Sequence, residues 1–239
     1  MIILRLHSTK KGKIRFASHR DIAKVWERAL RRANIPLIYS EGFSPRPKIA
    51  FGLALPTGAE SECEYLDVQI NNKKIGASLI REIPEALNGH LPEGIRVAGM
   101  VEIEKKTTSL QQAVTSCLWE ITVEENQGTV DRWIHKVMNA NELRIERSRK
   151  GKVVIDDIRP FISDVHANGI DREGHVVLEA ELRTQPRSLR PNELIKSAKP
   201  HLTQLKLCRK KQFIKTGDGC LDPLDVGTSP DMSMEACSV

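Results

Sequence analysis

Ser18-His-Arg-Asp-Ile-Ala-Lys-Val-Trp-Glu-Arg-Ala-Leu-Arg-Arg-Ala33 is the stretch on which the reading of the fold turns. Ser18 stands as an N-cap with Asp21 three residues on, a carboxylate variant of the capping box that satisfies free N–H groups of the first turn. Ile22, Val25, Trp26, Ala29, Leu30 and Ala33 then recur at helical spacing on one face, and Asn34 with Pro36 ends the run. The flanks have a period of two. Ile2 to Leu6 alternates, Lys13 to Phe16 reads as continuing strand after the turn Lys10-Lys11-Gly12, and strands follow near Ile49 to Leu53 and Glu64 to Ile70. A second helix around Ile75 to Leu87 and a strand from Ile95 to Glu104 complete a β-α-β-β-α-β succession. Helices on one side of such a sheet leave its other face available.

The order returns beyond a polar stretch, Lys105 to Ser109, read as the linker. Leu118 to Val123, Leu143 to Arg147, Lys152 to Ile158, Val176 to Leu182 and Leu205 to Ile214 read as strands, with helices at Val130 to Met138 and Pro191 to Ser197. The expectation is an α+β protein of two tandem ferredoxin-like units, residues 1–106 and 114–215. The last 24 residues, from Thr216, carry five acids and no Lys or Arg among Gly, Ser, Pro and Met. That composition predicts a disordered acidic tail over 216–239.

The 239 residues include 40% hydrophobic and 28% charged side chains, enough for a sizeable core and unlike disordered or collagen-like chains. No apolar run approaches the roughly 20 residues that cross a bilayer, and Met1-Ile-Ile-Leu-Arg-Leu-His7 lacks the order of a signal peptide, so a cytoplasmic protein is expected. Five scattered cysteines, Cys63, Cys117, Cys208, Cys220 and Cys237, fit reduced thiols. No CxxxCxxC, Gly-rich phosphate loop, HExxH, GxSxG or dinucleotide fingerprint occurs, and no histidine has metal-ligand spacing, so no cofactor and no metal are expected.

Net charge is +6, yet residues 1–50 hold twelve Lys or Arg against three acids, a local net of +9. Arg20, Lys24, Arg28 and Arg32 follow at i+4 steps, with Arg31 beside them, although like charges at that spacing cost a helix roughly 0.2–0.5 kcal/mol per pair. A solvated face relieved by Glu27 is one reading. Phosphate binding, which repays the repulsion by counterion release, is the other. In Tyr39-Ser-Glu-Gly-Phe-Ser-Pro-Arg-Pro-Lys48, Pro45 and Pro47 stiffen the backbone around Arg46, Gly42 permits a positive φ, and Phe43 offers an anchor. That loop presents Arg46 and Lys48 on a preorganised arm. His19 at the helix start, beside Ser18 and Asp21, is either part of the cap or a general base. Glu60, Glu62 and Glu64 at period two share one strand face and either grip a cation or answer the basic residues.

The runs Lys13-Ile-Arg-Phe-Ala-Ser-His-Arg-Asp21, Glu27-Arg-Ala-Leu-Arg-Arg-Ala33, Tyr39 to Ile49 and Pro56-Thr-Gly-Ala-Glu-Ser-Glu-Cys-Glu-Tyr65 resemble the radical-SAM-linked bacterial family of unknown function. The resemblance is specific to about residue 70 and looser to about 214. Phe16, Ser18, His19, Asp21, Arg28, Arg31, Arg32, Ser40, Gly42, Phe43, Pro45, Pro47, Lys48, Glu60 and Ser61 match the family pattern, whereas Glu41, Ser44 and Arg46 depart from its usual Gln, Asn and His. It implies an accessory role beside a separately encoded radical S-adenosylmethionine enzyme. With the basic helix and loop, the expectation is a non-catalytic binder of structured RNA, tRNA or rRNA. The alternatives are an RNA-processing or RNA-modifying enzyme with His19 as base, and a protein-interaction adaptor without nucleic acid.

Overall fold

The computed structural model describes residues 1–105, 107–149, 151–217 and 219–227. Two compact units divide the chain: one comprises residues 1–114 with the chain from Ile214 onward, and the other is Thr115–Phe213. The first runs β1 (Ile2–Lys10), α1 (His19–Arg32), β2 (Ile49–Phe51), β3 (Glu60–Ile70), α2 (Ala77–Arg81), α3 (Ile83–Asn88) and β4 (Ile95–Ile103), followed by the short α4 (Leu110–Ala113). Its strands are antiparallel in the order β4-β1-β3-β2. Leu4 and Leu6 of β1 and Leu66, Val68 and Ile70 of β3 meet Trp26, Ala29 and Leu30 of α1 in one core with Ile83 and Leu87. Full burial of each large side chain contributes about 1.5–3 kcal/mol, which fixes α1 to the sheet and turns its charged side to water.

In the second unit β5 (Ser116–Val123), α5 (Gln127–Met138), β6 (Arg144–Arg149), β7 (Lys152–Asp157), β8 (Ile162–Ile170), β9 (Val176–Arg183), α6 (Pro191–Ile195) and β10 (Gln204–Thr216) follow in turn. The sheet order is β10-β5-β9-β8, again antiparallel, and Trp133 of α5 is buried with Ile121 and Leu178 of the strands.

Several elements differ from the sequence reading. Gly12, at φ +67°, ends β1, and Gly12–Phe16 forms a 3-10 turn instead of a strand. Pro84 cannot donate an amide to a continuing helix, so the expected helix over 75–87 is split into α2 and α3. Residues 152–157 pair only with β6, as a hairpin outside the main sheet that leaves Val153 and Ile155 exposed. The sheet strand is β8, whose Ile162 and Val165 are buried. Leu110, expected beyond a linker, is buried in the first unit.

The carboxyl-terminal segment also differs from the disordered tail expected over 216–239. Gly219–Leu221 forms β11 against the end of β10, and the chain then packs on the second face of the first sheet, which the sequence reading leaves open. Tyr65 donates its hydroxyl proton to the Asp222 carboxylate, with oxygens at 3.0 and 2.8 Å. Arg5, fully buried, pairs with Asp67 at 2.8 and 2.9 Å and donates to the Pro223 carbonyl at 3.0 Å. Glu104 N donates to Gly227 O. Residues 228–239 of the expected tail lie outside the described residues.

Candidate nucleic-acid interface

Ser18 caps α1 as the sequence implies: its hydroxyl accepts from Asp21 N at 3.3 Å and donates to Asp21 Oδ2 at 2.7 Å. That hydroxyl contact holds the Asp21 carboxyl below its ordinary value. The Asp21 carboxylate also lies 4.0 Å from Lys24 Nζ, and among the described residues no hydrogen bond joins it to His19. Asp21 thus serves the helix cap and Lys24, and His19 stands apart from it.

The loop after α1 is held in shape by its own backbone. Ser40 N donates to Arg46 O at 2.8 Å, Arg46 N donates to the Ser40 hydroxyl at 3.0 Å, and Tyr39 bridges to Pro47. Gly42 sits at φ +123°, a conformation that other residues adopt only with strain, and turns the tip so that Phe43 is wholly in solvent. Pro45 and Pro47 fix the arm that carries Arg46 back toward α1. Lys48, on the return of the loop, is exposed.

Helix and arm meet in one open groove of about 360 Å³, lined by Arg20, Lys24, Glu27 and Arg31 from α1 and by Ser44 to Pro47 from the loop. Four cations thus face a shared space. Two are compensated in part, Lys24 by Asp21 and Arg31 by Glu27 at 3.4 Å. Among the described residues Arg20, Arg28, Arg32, Arg46 and Lys48 make no ion pair. Arg28 and Arg32 are exposed further round the helix, outside the groove lining.

The acids of β3 answer a different set of cations. Glu60 Oε1 accepts from Gly12 N at 2.9 Å and from Arg15 at 3.4 Å, and Glu62 pairs with Lys11 at 2.9 Å. They fasten the turn after β1 and leave the α1 ridge to the partial compensation of Asp21 and Glu27. Ser61, matched to the family pattern on sequence, is fully buried, where its hydroxyl accepts from Cys63 N; it belongs to the scaffold and not to the interface. It enters the candidate site by matching the family pattern, and such a match does not say which alternate face of the strand is covered.

His19 turns toward a second, deeper space. Its ring meets Phe51 edge-on at 5.2 Å, and the cleft of about 40 Å³ beside it is walled by Ile22, Trp26 and Phe51, with Lys10 and Glu64 contributing charge. Lys10 is 5% exposed, and its ammonium donates to the carbonyls of Arg15 and Ala17 at 3.3 and 3.1 Å. The sequence reading takes this lysine only as part of the turn Lys10-Lys11-Gly12 and not as a site residue. The signal for it is its place in the alternation Leu4, Leu6, Ser8, Lys10, which puts a cation on the inward face of β1.

In the second unit the β8–β9 turn gathers Asp171, Glu173 and His175, donor atoms within 4.8 Å of one another, although no histidine spacing suggests a metal on sequence. Lys206 lies 3.3 Å from both carboxylates and already compensates their charge. Asp171 also accepts from the backbone N–H groups of His175 and Glu173, and the first of these contacts does most to hold its carboxyl below the ordinary value.

A family profile described as an uncharacterized protein conserved in bacteria (DUF2344) matches residues 4–191, most of β1 through the first residue of α6. The chain belongs to this family. The match takes in the basic helix, the loop and both clefts, while the returning segment 219–227 lies beyond it. No curated protein matches the DUF2344 chain. Among solved structures, a chain in the crystal structure of a Cbf5-Nop10-Gar1 complex overlaps it with a TM-score of 0.44 and 9% identity, covering 88% of this chain and 48% of that one. The DUF2344 chain therefore spans about half the length of that protein, and an overlap of this extent bears on neither fold nor function. No helix among the described residues is long and apolar enough to cross a membrane.

Proposed function

We propose that the first unit holds structured RNA by its phosphate backbone, as an accessory protein to a separately encoded radical S-adenosylmethionine enzyme. The observation that carries the RNA reading is the convergence of Arg20, Lys24 and Arg31 with Arg46 on one groove whose cations are only half compensated. Phosphates entering it would displace counterions and exchange with Asp21 and Glu27, which recovers the repulsion built into α1. The arm is closed by the Ser40–Arg46 hydrogen bonds, so little ordering entropy is spent on binding. Backbone contacts of this kind read shape before sequence, as suits folded RNA.

Both units are read as ferredoxin-like, an inference supported by the strand order last-first-third-second in each. The enzyme partner rests on the resemblance alone. Because the chain holds no cluster-binding CxxxCxxC, the radical chemistry would belong to that partner. Filter binding to tRNA and rRNA fragments at low ionic strength is the test. Salt-sensitive retention is expected, and its absence for every fragment would retire the RNA reading. Co-purification with the radical enzyme in the presence of nuclease would favour the adaptor role. Metal-independent cleavage lost in His19→Ala would favour the enzyme.

A further inference from the structure

The five phenylalanines of the chain are not housed alike. Phe16 and Phe161 each lie under a guanidinium, Phe51 meets the His19 ring, and Phe213 is half-buried in β10. Phe43 is wholly in solvent, and among the described residues its ring meets no other ring and no cation. A large apolar side chain left in water forgoes about 1.5–3 kcal/mol of burial. The tip that holds it out is built: Gly42 turns it at φ +123°, the Ser40–Arg46 hydrogen bonds of 2.8 and 3.0 Å close the arm behind it, and Pro45 follows two residues on. Nothing lies within 4 Å of the Cβ position at Gly42, so the space around the tip is open. Ser44, the next residue, already lines the cation groove. Consecutive Cα atoms are about 3.8 Å apart, which sets the ring about one nucleotide from the groove. We infer that Phe43 stacks on one unpaired base beside the helix whose phosphates lie in the groove, so that the RNA taken is a duplex ending in a single-stranded nucleotide; this rests on the RNA reading above.

The surroundings of the ring decide between partners. Its chain neighbours, Glu41, Gly42 and Ser44, are polar or small and give no apolar rim of the kind that shields an anchor in a protein interface. One ring beside an exposed carboxylate also gains little from an anionic bilayer, where several apolar side chains insert together. A base asks for less. It needs a flat ring with a free face and a cation close by for the neighbouring phosphate, and Arg46 supplies the charge from the same arm. Because every base has a π face, stacking of this kind tolerates base identity, and unpaired nucleotides are where folded RNA offers such faces.

Three RNA hairpins of one stem sequence and equal charge test this, with three-nucleotide overhangs on both strands made of uridine, of adenosine, or of abasic ribose phosphate. Wild-type protein should bind the uridine and adenosine hairpins about tenfold more tightly than the abasic one. Phe43→Ala, and Phe43→Leu as the variant that stays apolar without a ring, should abolish that ratio, whereas Phe43→Trp should keep it. Arg20→Ala should weaken all three hairpins alike and leave the ratio in place. Equal binding of all three by wild type, a preference for only one of the two bases, a ratio that survives Phe43→Ala or Phe43→Leu, or one that Phe43→Trp loses would overturn the stacking while leaving the groove standing. Failure of every hairpin to bind at low salt would remove both.

Discussion

Replacing Arg20 and Arg46 together by Ala removes the two groove cations that have no carboxylate partner and leaves Lys24 and Arg31 in place. If all four cations contact phosphate, log K falls with log salt at a slope of about −2.8 for single strands and about −3.6 for duplex. Between 50 and 200 mM salt that is a loss of about 50- to 150-fold in affinity. With two cations left the slope halves, and the same salt change should cost only about seven- to twelvefold. The assay is filter binding of one structured RNA at four or more salt concentrations, wild type and double variant side by side. Because both residues are exposed and make no ion pair among the described residues, the fold should be unaffected, and thermal unfolding serves as the control. The slope decides and the affinity does not. A double variant that binds more weakly with an unchanged slope would mean that Arg20 and Arg46 do not touch phosphate, and the groove would lose its meaning as an anion site.

Three further outcomes follow from the scaffold. Arg5→Met strands the Asp67 carboxylate, 14% exposed, against the second face of the sheet and should cost the first unit about 3–5 kcal/mol in denaturant unfolding, much of it recovered by adding Asp67→Leu. Tyr65→Phe should cost about 2 kcal/mol at neutral pH and speed amide exchange at Leu224 and Glu104, since the hydroxyl bond to Asp222 anchors the returning segment. Burial raises the Tyr65 hydroxyl well above its ordinary 10.0, so the stabilisation it gives is complete below pH 10 and lost at more alkaline pH. Wild type should therefore lose stability above pH 10 more steeply than Tyr65→Phe, and coincident pH curves would contradict the assignment. Ser18→Ala should lower the melting temperature by about 4 °C and let Asp21 titrate nearer its ordinary value by NMR, with RNA affinity at fixed salt little changed.

What the sequence by itself determined is local. Ser18, the apolar stripe from Ile22 to Ala33 and the stop at Asn34 and Pro36 are enough to specify α1, because capping and amphipathic periodicity act within a few turns. Once the apolar stripe is buried, the cations between its positions must face water. The stiff arm was legible for the same reason, since Gly42, Pro45 and Pro47 restrict backbone angles wherever they stand. Three things needed the tertiary structure. The groove exists because chain reversal after α1 brings Arg46 opposite Arg20, and no spacing rule encodes that meeting. Lys10 and Glu64 come from strands far apart in the chain, so their shared cleft with His19 depends on strand pairing and on a bulge between Ser8 and Lys10. The segment 219–227 reads as acidic and loose from its composition, and becomes ordered only because Tyr65, Arg5 and a bare Gly99 offer Asp222, Pro223 and Leu224 a place to bind. Composition reports what a segment can hold by itself; burial against a distant strand supplies the rest.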